Sequence, residues 1–185
     1  MKLLIHTPPY PAFCLMLYVA YQELFIKKFK YVVLVVFTLL GLNACSERQQ
    51  ALTPAQVRQI ETQIQQSFDA LVAASEALDT ERYFALIDPD KFVGLNADGS
   101  NWNSFADLKA LIEPGFNAVA KIESLTFSNV RISVIDANTA ILVNQYQQTV
   151  LLKDGTTHSG AGGGTQVWSK TSGEWLLVSI SASGE

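Results

Sequence analysis

The chain carries little of the equipment that usually does chemistry. Its 185 residues include two cysteines and two histidines, and charged residues make up only 16%. Both cysteines, Cys14 and Cys45, precede the region that reads as a folded domain. A disulfide framework or a cysteine metal site is therefore excluded for that domain. His158 is the only histidine after the N-terminal segment. A metal site needs three or four convergent ligands, and no second histidine or cysteine is at hand to join it, so neither metal nor cofactor is expected. Positive charge is scarce as well. Without its first 44 residues the chain would keep 9 basic and 16 acidic side chains, −7 in place of −4. Nucleic-acid binding rests on phosphate neutralisation by Lys and Arg, so a nucleic-acid partner is excluded. An electrostatically held anionic membrane surface is disfavoured for the same reason.

The apolar run Tyr31–Leu42 has 12 residues. That suits the core of a signal peptide and falls short of the roughly 20 residues that span a hydrocarbon layer. Lys27, Lys28 and Lys30 supply the positive segment ahead of it. Leu42-Asn43-Ala44-Cys45 resembles the bacterial lipobox. The resemblance implies cleavage before Cys45, diacylation of its thiol and acylation of its new amine. Ser46 stands where an aspartate would signal inner-membrane retention, so the implied address is the outer membrane, facing the periplasm. The competing reading is an uncleaved signal anchor. Residues 1–26, with the Pro8-Pro9-Tyr10-Pro11 break, read as a start site set too early, or else as a long leader. The expected organisation is a signal peptide over 1–44, a lipidated tether over 45–52 and one domain over 53–185. Seven extended residues from Ser46 to Leu52 reach about 23–25 Å, which keeps that domain near the bilayer.

Within the domain, Thr53, Pro54 and Gln56 form a helix start with a capping box. Val57, Ile60, Ile64, Phe68, Leu71, Ala74 and Leu78 then recur at steps of three and four, one stripe on a long helix. Asp79-Thr80 breaks it, and Glu81–Ile87 reads as a short second helix. Lys91–Asn96 is a short strand and Asp98-Gly99 a hairpin turn. Ser104 and Asp107 cap a third helix that Pro114-Gly115 stops or kinks. Beyond it the period falls from 3.6 to 2. Leu125 and Phe127 share one parity and Val130, Ile132 and Val134 the other, which predicts a bulge at Ser128-Asn129. Turns at Asp136–Asn138, Lys153–Thr156 and Thr171–Gly173 separate the remaining strands. Helices first and an antiparallel meander after argue an α+β fold.

The long capped helix, Asn96-Ala97-Asp98-Gly99 followed by Phe105-Ala106-Asp107-Leu108, Asp136-Ala137-Asn138-Thr139-Ala140, and Val167-Trp168-Ser169-Lys170 leading to Gly173-Glu174-Trp175-Leu176-Leu177-Val178 form an ordered set. In that order they resemble the nuclear transport factor 2-like superfamily, in its SnoaL-like or ketosteroid-isomerase-like branch, over about residues 53–183. The resemblance implies a cone-shaped half-barrel. A strongly curved antiparallel sheet would wrap the long N-terminal helix and two shorter ones, and a homodimer would form through the sheet's outer face. Such a fold hosts isomerases, hydrolases, ligand binders and assembly modules, so it does not decide function. Many relatives carry histidines after the final tryptophan, where this chain has Ser179 and Ser181. That departure removes ready general bases.

Asp88, Asp90 and Asp98 sit where turn chemistry alone wants aspartate. Gly160-Ala161-Gly162-Gly163-Gly164-Thr165 lacks the lysine of a phosphate loop and leads into a strand, so it reads as a sharply bent strand at a cavity rim. Asn144, Gln145, Tyr146, Gln147 and Gln148 place polar groups inside a central strand, which is costly unless a wet cavity, solvent or a partner satisfies them. The candidate pocket set is Tyr83, Phe92, Trp102, Asn144, Tyr146, Gln148 and Trp168. The expected function is a lipid-anchored, non-catalytic cone that binds an unknown small ligand or a partner. The alternatives are an isomerase or hydrolase using a buried carboxylate with Tyr146, and a dimeric scaffold without pocket chemistry.

Overall fold

The computed structural model describes residues 51–170 and 173–184. The leader, the cleavage site, Cys14 and Cys45 lie outside the described residues, and among those described no helix is long and apolar enough to cross a membrane.

Helix α1 (Pro54–Glu76) begins as its residues dictate. The Thr53 hydroxyl accepts from the Gln56 amide at 3.3 Å, and Gln56 Oε1 accepts from the Thr53 amide at 2.9 Å. Those two bonds satisfy donors that a helix start leaves without intrahelical partners. The buried residues of α1 are Ile60, Ile64, Phe68, Leu71 and Ala74, five members of the stripe read from spacing. Leu78, in the left-handed region at φ 53, turns the chain, and Asp79 then caps α2 (Thr80–Ala85) by accepting from the Arg82 amide at 3.0 Å. The second helix stops short of the expected Ile87 for a tertiary reason. The Leu177 amide donates to the Leu86 carbonyl at 2.9 Å, and the Asp88 amide donates to the Leu177 carbonyl at 3.0 Å. Ile87 is thereby recruited as a bridge to the sheet.

The two short strands β1 (Val93–Leu95) and β2 (Asn101–Trp102) form the expected hairpin, with Gly99 at φ 84 in its turn. Helix α3 (Phe105–Ala118) keeps its predicted cap: Ser104 Oγ accepts from the Asp107 amide at 3.2 Å. It does not stop at Pro114 but runs on to Ala118. Proline deletes one backbone bond there, while the turn beyond it is held by packing, with the Phe116 ring 5.5 Å from that of Tyr83.

The long strands are β3 (Val119–Asp136), β4 (Thr139–Leu152), β5 (Thr157–Ser169) and β6 (Leu176–Gly184). They form one sheet in the order β2-β1-β6-β5-β4-β3. β3 to β6 make the expected antiparallel meander, but β1 joins it parallel to β6, Val93 beside Ser179 and Leu95 beside Ser181. The register of β3 on β4 slips between Ser128 and Arg131, where Asn129 has φ 50 and its side-chain Nδ2 donates to Gln145 Oε1 at 2.6 Å. This is the bulge expected from the parity change, and asparagine tolerates its left-handed conformation better than most residues. The sheet curves around α1, and Ile64, Ala140, Leu142, Trp168 and Leu177 are fully enclosed between them. The architecture is the cone-like α+β half-barrel.

Candidate functional site

Side chains alternate across a strand, so β4 sorts its own residues. Ala140, Leu142 and Asn144 are buried toward α1, while Val143, Gln145 and Gln147 are exposed on the other face. The pairing with β5 sets Trp168 beside Ala140, Gln166 beside Leu142, Gly164 beside Asn144 and Gly162 beside Tyr146. The inner face thus begins as packed core and ends as a polar column opposed by glycine. Where β5 offers no side chain, a hollow remains.

That hollow is a partly open cavity of about 130 Å³. Phe68, Leu71, Val72 and Ser75 of α1 form one wall, with Tyr83 of α2 beside them. The sheet supplies Phe127, Asn144, Tyr146, Gly164, Gln166, Ile180 and Ala182. The rings of Phe68 and Phe127 meet edge to face at 5.0 Å and 78°. No carboxylate, imidazole, lysine or arginine lines the cavity among the described residues.

The polar groups differ in how they are satisfied. Trp168 donates its indole N–H to Gln166 Oε1 at 3.1 Å, which fixes the Gln166 amide because an indole can only donate. Tyr146 donates its hydroxyl to the Ser183 carbonyl at 3.3 Å. Asn144 Oδ1 is buried and has no partner, the only such side-chain atom among the described residues. Gly164 is what leaves it room, since a Cβ there would stand 3.1 Å from Asn144 Oδ1. A Cβ at Gly162 would run into the Ser183 carbonyl and crowd the Tyr146 hydroxyl at 2.9 Å. Close approach of neighbouring chain therefore accounts for the glycines at 162 and 164. Tyr83 is buried, and desolvation pushes its phenol from the ordinary value of 10.0 up to about 12. It serves the cavity as a neutral group throughout the physiological range.

Of the pocket residues expected from sequence, Tyr83, Asn144 and Tyr146 come together here. Trp168 lies fully buried beneath the cavity and acts through Gln166. Phe92 and Trp102 pack on each other at 6.4 Å, in the β1–β2 corner. Gln148 lines a more open groove of about 560 Å³, among Thr126, Gln147 and Ser159. A second groove of about 390 Å³ shares Tyr146 and is otherwise rimmed by Ser128, Gln145, Gly163 and Ser183. Gly164 belongs to the glycine run that the sequence reading sets at a cavity rim; the residues missing from that reading are Gln166 and the apolar wall of Phe68, Phe127 and Ile180.

The aspartates serve the chain itself. Asp88 is buried, accepts from the amides of Asp90 and Lys91 at 3.0 and 3.2 Å, and pairs with Lys91 at 3.7 Å. Asp98 accepts from the Ser100 hydroxyl at 2.6 Å and its amide at 2.8 Å, and these bonds hold its carboxyl below the usual range. His158 is an exposed residue at the start of β5, beside Val150.

The SnoaL-like domain family matches residues 64–184. No curated protein matches the chain by sequence. Solved structures match it widely in fold. A nuclear transport factor 2-like superfamily protein from Salmonella enterica serovar Typhimurium is 17% identical with a TM-score of 0.62, covering 69% of this chain and 92% of its own. A protein from Streptomyces avermitilis, titled as a candidate dehydratase of the same superfamily, is 18% identical with a TM-score of 0.60, covering 72% and 99%. The association domain of C. elegans CaMKII is 18% identical with a TM-score of 0.55, covering 71% and 99%.

The Tyr83 phenol gives a stability signature with a definite sign. Unfolded, it ionises near 10.0; folded, near about 12. The contribution of this phenol is therefore fully present below pH 10 and is lost progressively between about pH 10 and about pH 12, to the extent of about 2–3 kcal/mol. Denaturant unfolding of wild type and Tyr83→Phe across this window should show a loss in wild type that exceeds the variant's by about that amount. Parallel curves for the two proteins would mean that the phenol is not desolvated as described.

Proposed function

The chain belongs to the SnoaL-like domain family within the nuclear transport factor 2-like superfamily, and from that premise we propose that it is an envelope lipoprotein whose cone binds a small organic ligand without transforming it. The observation that carries the binding half is Asn144. A buried acceptor without a partner costs about 1–3 kcal/mol of stability, and it marks the polar side of a hollow that is otherwise walled by apolar side chains. The support for a non-catalytic role is the lining itself. General acid–base chemistry of the isomerase or hydrolase kind needs a carboxylate or histidine within reach of substrate. The described cavity offers amides, phenols and a serine hydroxyl. The Streptomyces protein titled as a candidate dehydratase shares the fold, which carries no chemistry over by itself.

Anchoring rests on the sequence Leu42-Asn43-Ala44-Cys45 behind a short apolar run. Two or more acyl chains on Cys45 hold a domain firmly where one would give marginal binding. In this reading the domain faces the periplasm from the outer membrane.

The partner supported by the sheet is a second copy of the chain. On the outer face, Val143 lies in one row with Thr165, Ser181 and Leu95, and Val167 with Ser179 and Val93 in the next. Val93, Leu95 and Val143 are all exposed there. A face of apolar and small hydroxyl residues suits self-association, and one fold neighbour is titled an association domain.

Three measurements test these statements. The full chain purified from its native membrane should carry an extractable small molecule, or gain thermal stability from neutral organic compounds in a screen. A chain that is empty and unresponsive across such a screen sinks the binding reading. Cys45→Ala should move the protein from the membrane fraction to the soluble fraction, and retention on the membrane would contradict the lipid anchor. Val143→Asp should convert a dimer to a monomer in sedimentation velocity. A wild-type chain that sediments as a monomer at all concentrations excludes the pairing.

A further inference from the structure

We infer that the cavity takes a neutral molecule whose buried part is about one ring and whose hydrogen-bond acceptor, such as a carbonyl oxygen, meets the side-chain N–H groups of Asn144 and Gln166. The inference rests on the binding reading above and names the class of ligand for that site.

The polar inventory sets the polarity. Gln166 Oε1 accepts from the Trp168 indole, which can only donate, so the end of that amide left for the hollow is Nε2. Asn144 Oδ1 is sealed from any occupant, so the amide end that Asn144 offers the hollow is Nδ2. The Tyr83 hydroxyl belongs to the same lining. Tyr83, Asn144 and Gln166 are 8%, 7% and 4% exposed, so bulk water reaches them little. Among the described residues, Asn144 Nδ2, Gln166 Nε2 and the Tyr83 hydroxyl have no hydrogen-bond partner, and none of the three is sealed off as Asn144 Oδ1 is. The lining hydroxyls of Tyr146 and Ser75 already donate to the carbonyls of Ser183 and Leu71 and keep only lone pairs. An empty lone pair is tolerated in proteins more often than an orphaned N–H. What the cavity lacks is an acceptor.

Register sets the placement. Asn144 stands beside Gly164, and Leu142 beside Gln166, so Asn144 and Gln166 are diagonal neighbours on the inner face of adjacent strands. Such neighbours lie about 7–8 Å apart, within reach of each other's long side chains. A carbonyl oxygen has two lone pairs and can accept from both amides at once. Gly164 keeps the corner open, since a Cβ there would stand 3.5 Å from Asn144 Nδ2.

The remaining lining sets the body of the ligand. Phe68, Leu71, Val72, Phe127 and Ile180 are apolar. The volume of about 130 Å³ is close to the roughly 150 Å³ of an engineered apolar cavity that takes up benzene. A water molecule could bond to the amides but would leave the apolar wall without a partner. A ring that carries an acceptor satisfies both. An ion is disfavoured, because no lining residue is charged and a carboxylate would lose its hydration without a counter-ion.

Three probes of nearly the same shape separate the possibilities. Acetophenone carries an acceptor, α-methylstyrene has a CH₂ in place of the oxygen, and benzoate carries a charge. Each is titrated calorimetrically into the full chain held in lipid nanodiscs, with empty discs as the blank. The affinities of the two neutral probes are divided by their water-to-alkane partition coefficients, so that differences in hydrophobicity cancel. On that scale acetophenone should exceed α-methylstyrene by about 10-fold or more, the gain expected when buried donors acquire their bonds. The infrared carbonyl stretch of bound acetophenone should fall below its value in hexane. Benzoate at pH 7 should bind at least about 10-fold more weakly than acetophenone. Asn144→Leu and Gln166→Met, which keep size and lose the amide, should each lower the ratio about 3-fold or more and return the carbonyl band toward its hexane value. Gln166→Met also strips the Trp168 indole of its acceptor; should it fail to fold, Asn144→Leu and the wild-type band decide. A ratio near one, with the band at its hexane value, would overturn the acceptor rule and leave the small-ligand reading standing. A ratio lost in Tyr83→Phe but kept in both amide variants would overturn the assignment to the amides. Benzoate binding as tightly as acetophenone would overturn the neutral class. No binding of any probe, in a chain that responds to other compounds in the thermal screen, would overturn the assigned size; no response to any compound would overturn the binding reading itself.

Discussion

The stripe on α1 can leave water only if a sheet bends around it. Ile60, Ile64, Phe68, Leu71 and Ala74 run the length of a 23-residue helix, and a flat sheet would cover only part of such a line. The fold meets that demand through the bulge at Asn129 and the glycine-rich length of β5, which let two long strands curl without clashes. Curvature, once required, leaves a hollow where the helix stripe ends before the sheet does. The cavity is thus a by-product of covering α1, and the polar residues of β4 set the polar part of its lining.

The two ends of the inner face show how a change of residue type alters the role of one surface. Near Trp168 and Leu142 the interior is fully packed and free of unpaired groups. Two residues along β4, Asn144 stands opposite a glycine, and packing gives way to space. Burial of an amide without a partner works against stability. The neighbouring polar groups are tied down by the indole of Trp168 and the carbonyl of Ser183. Among the described residues one buried side-chain atom, Asn144 Oδ1, remains without a partner.

The elements with strong local codes were legible in the sequence. The Thr53–Gln56 capping box, the Ser104 cap, the aspartate turns and the parity change before the bulge all act between near neighbours in the chain, and all stand where local chemistry places them. Where tertiary forces compete, local rules fail: Ile87 leaves the second helix for a sheet bridge, and α3 continues past Pro114 because Phe116 has Tyr83 to pack on. The cavity was half legible. Tyr146 and Asn144 stand out as polar residues in a strand that should be apolar. The glycine run is legible as a bent strand at a rim, but the pairing of Gly164 with Asn144 and the place of Gln166 become visible only when β5 is laid beside β4, a register that the Asp154-Gly155 turn in principle dictates. The wall from Phe68 and Phe127 carries no local mark, because a core phenylalanine and a cavity phenylalanine have the same spacing.

The parallel pairing of β1 with β6 carries a consequence for biogenesis. Val93 and Leu95 have their hydrogen-bonding neighbours at Ser179 and Ser181, at the far end of the polypeptide. As the nascent chain emerges, N-terminus first, the β1–β2 hairpin has no edge to dock on until β6 has been made. Such distant contacts are slow to form. The parallel pairing is thus a closing stitch for the domain, one that nothing between β2 and β6 can replace.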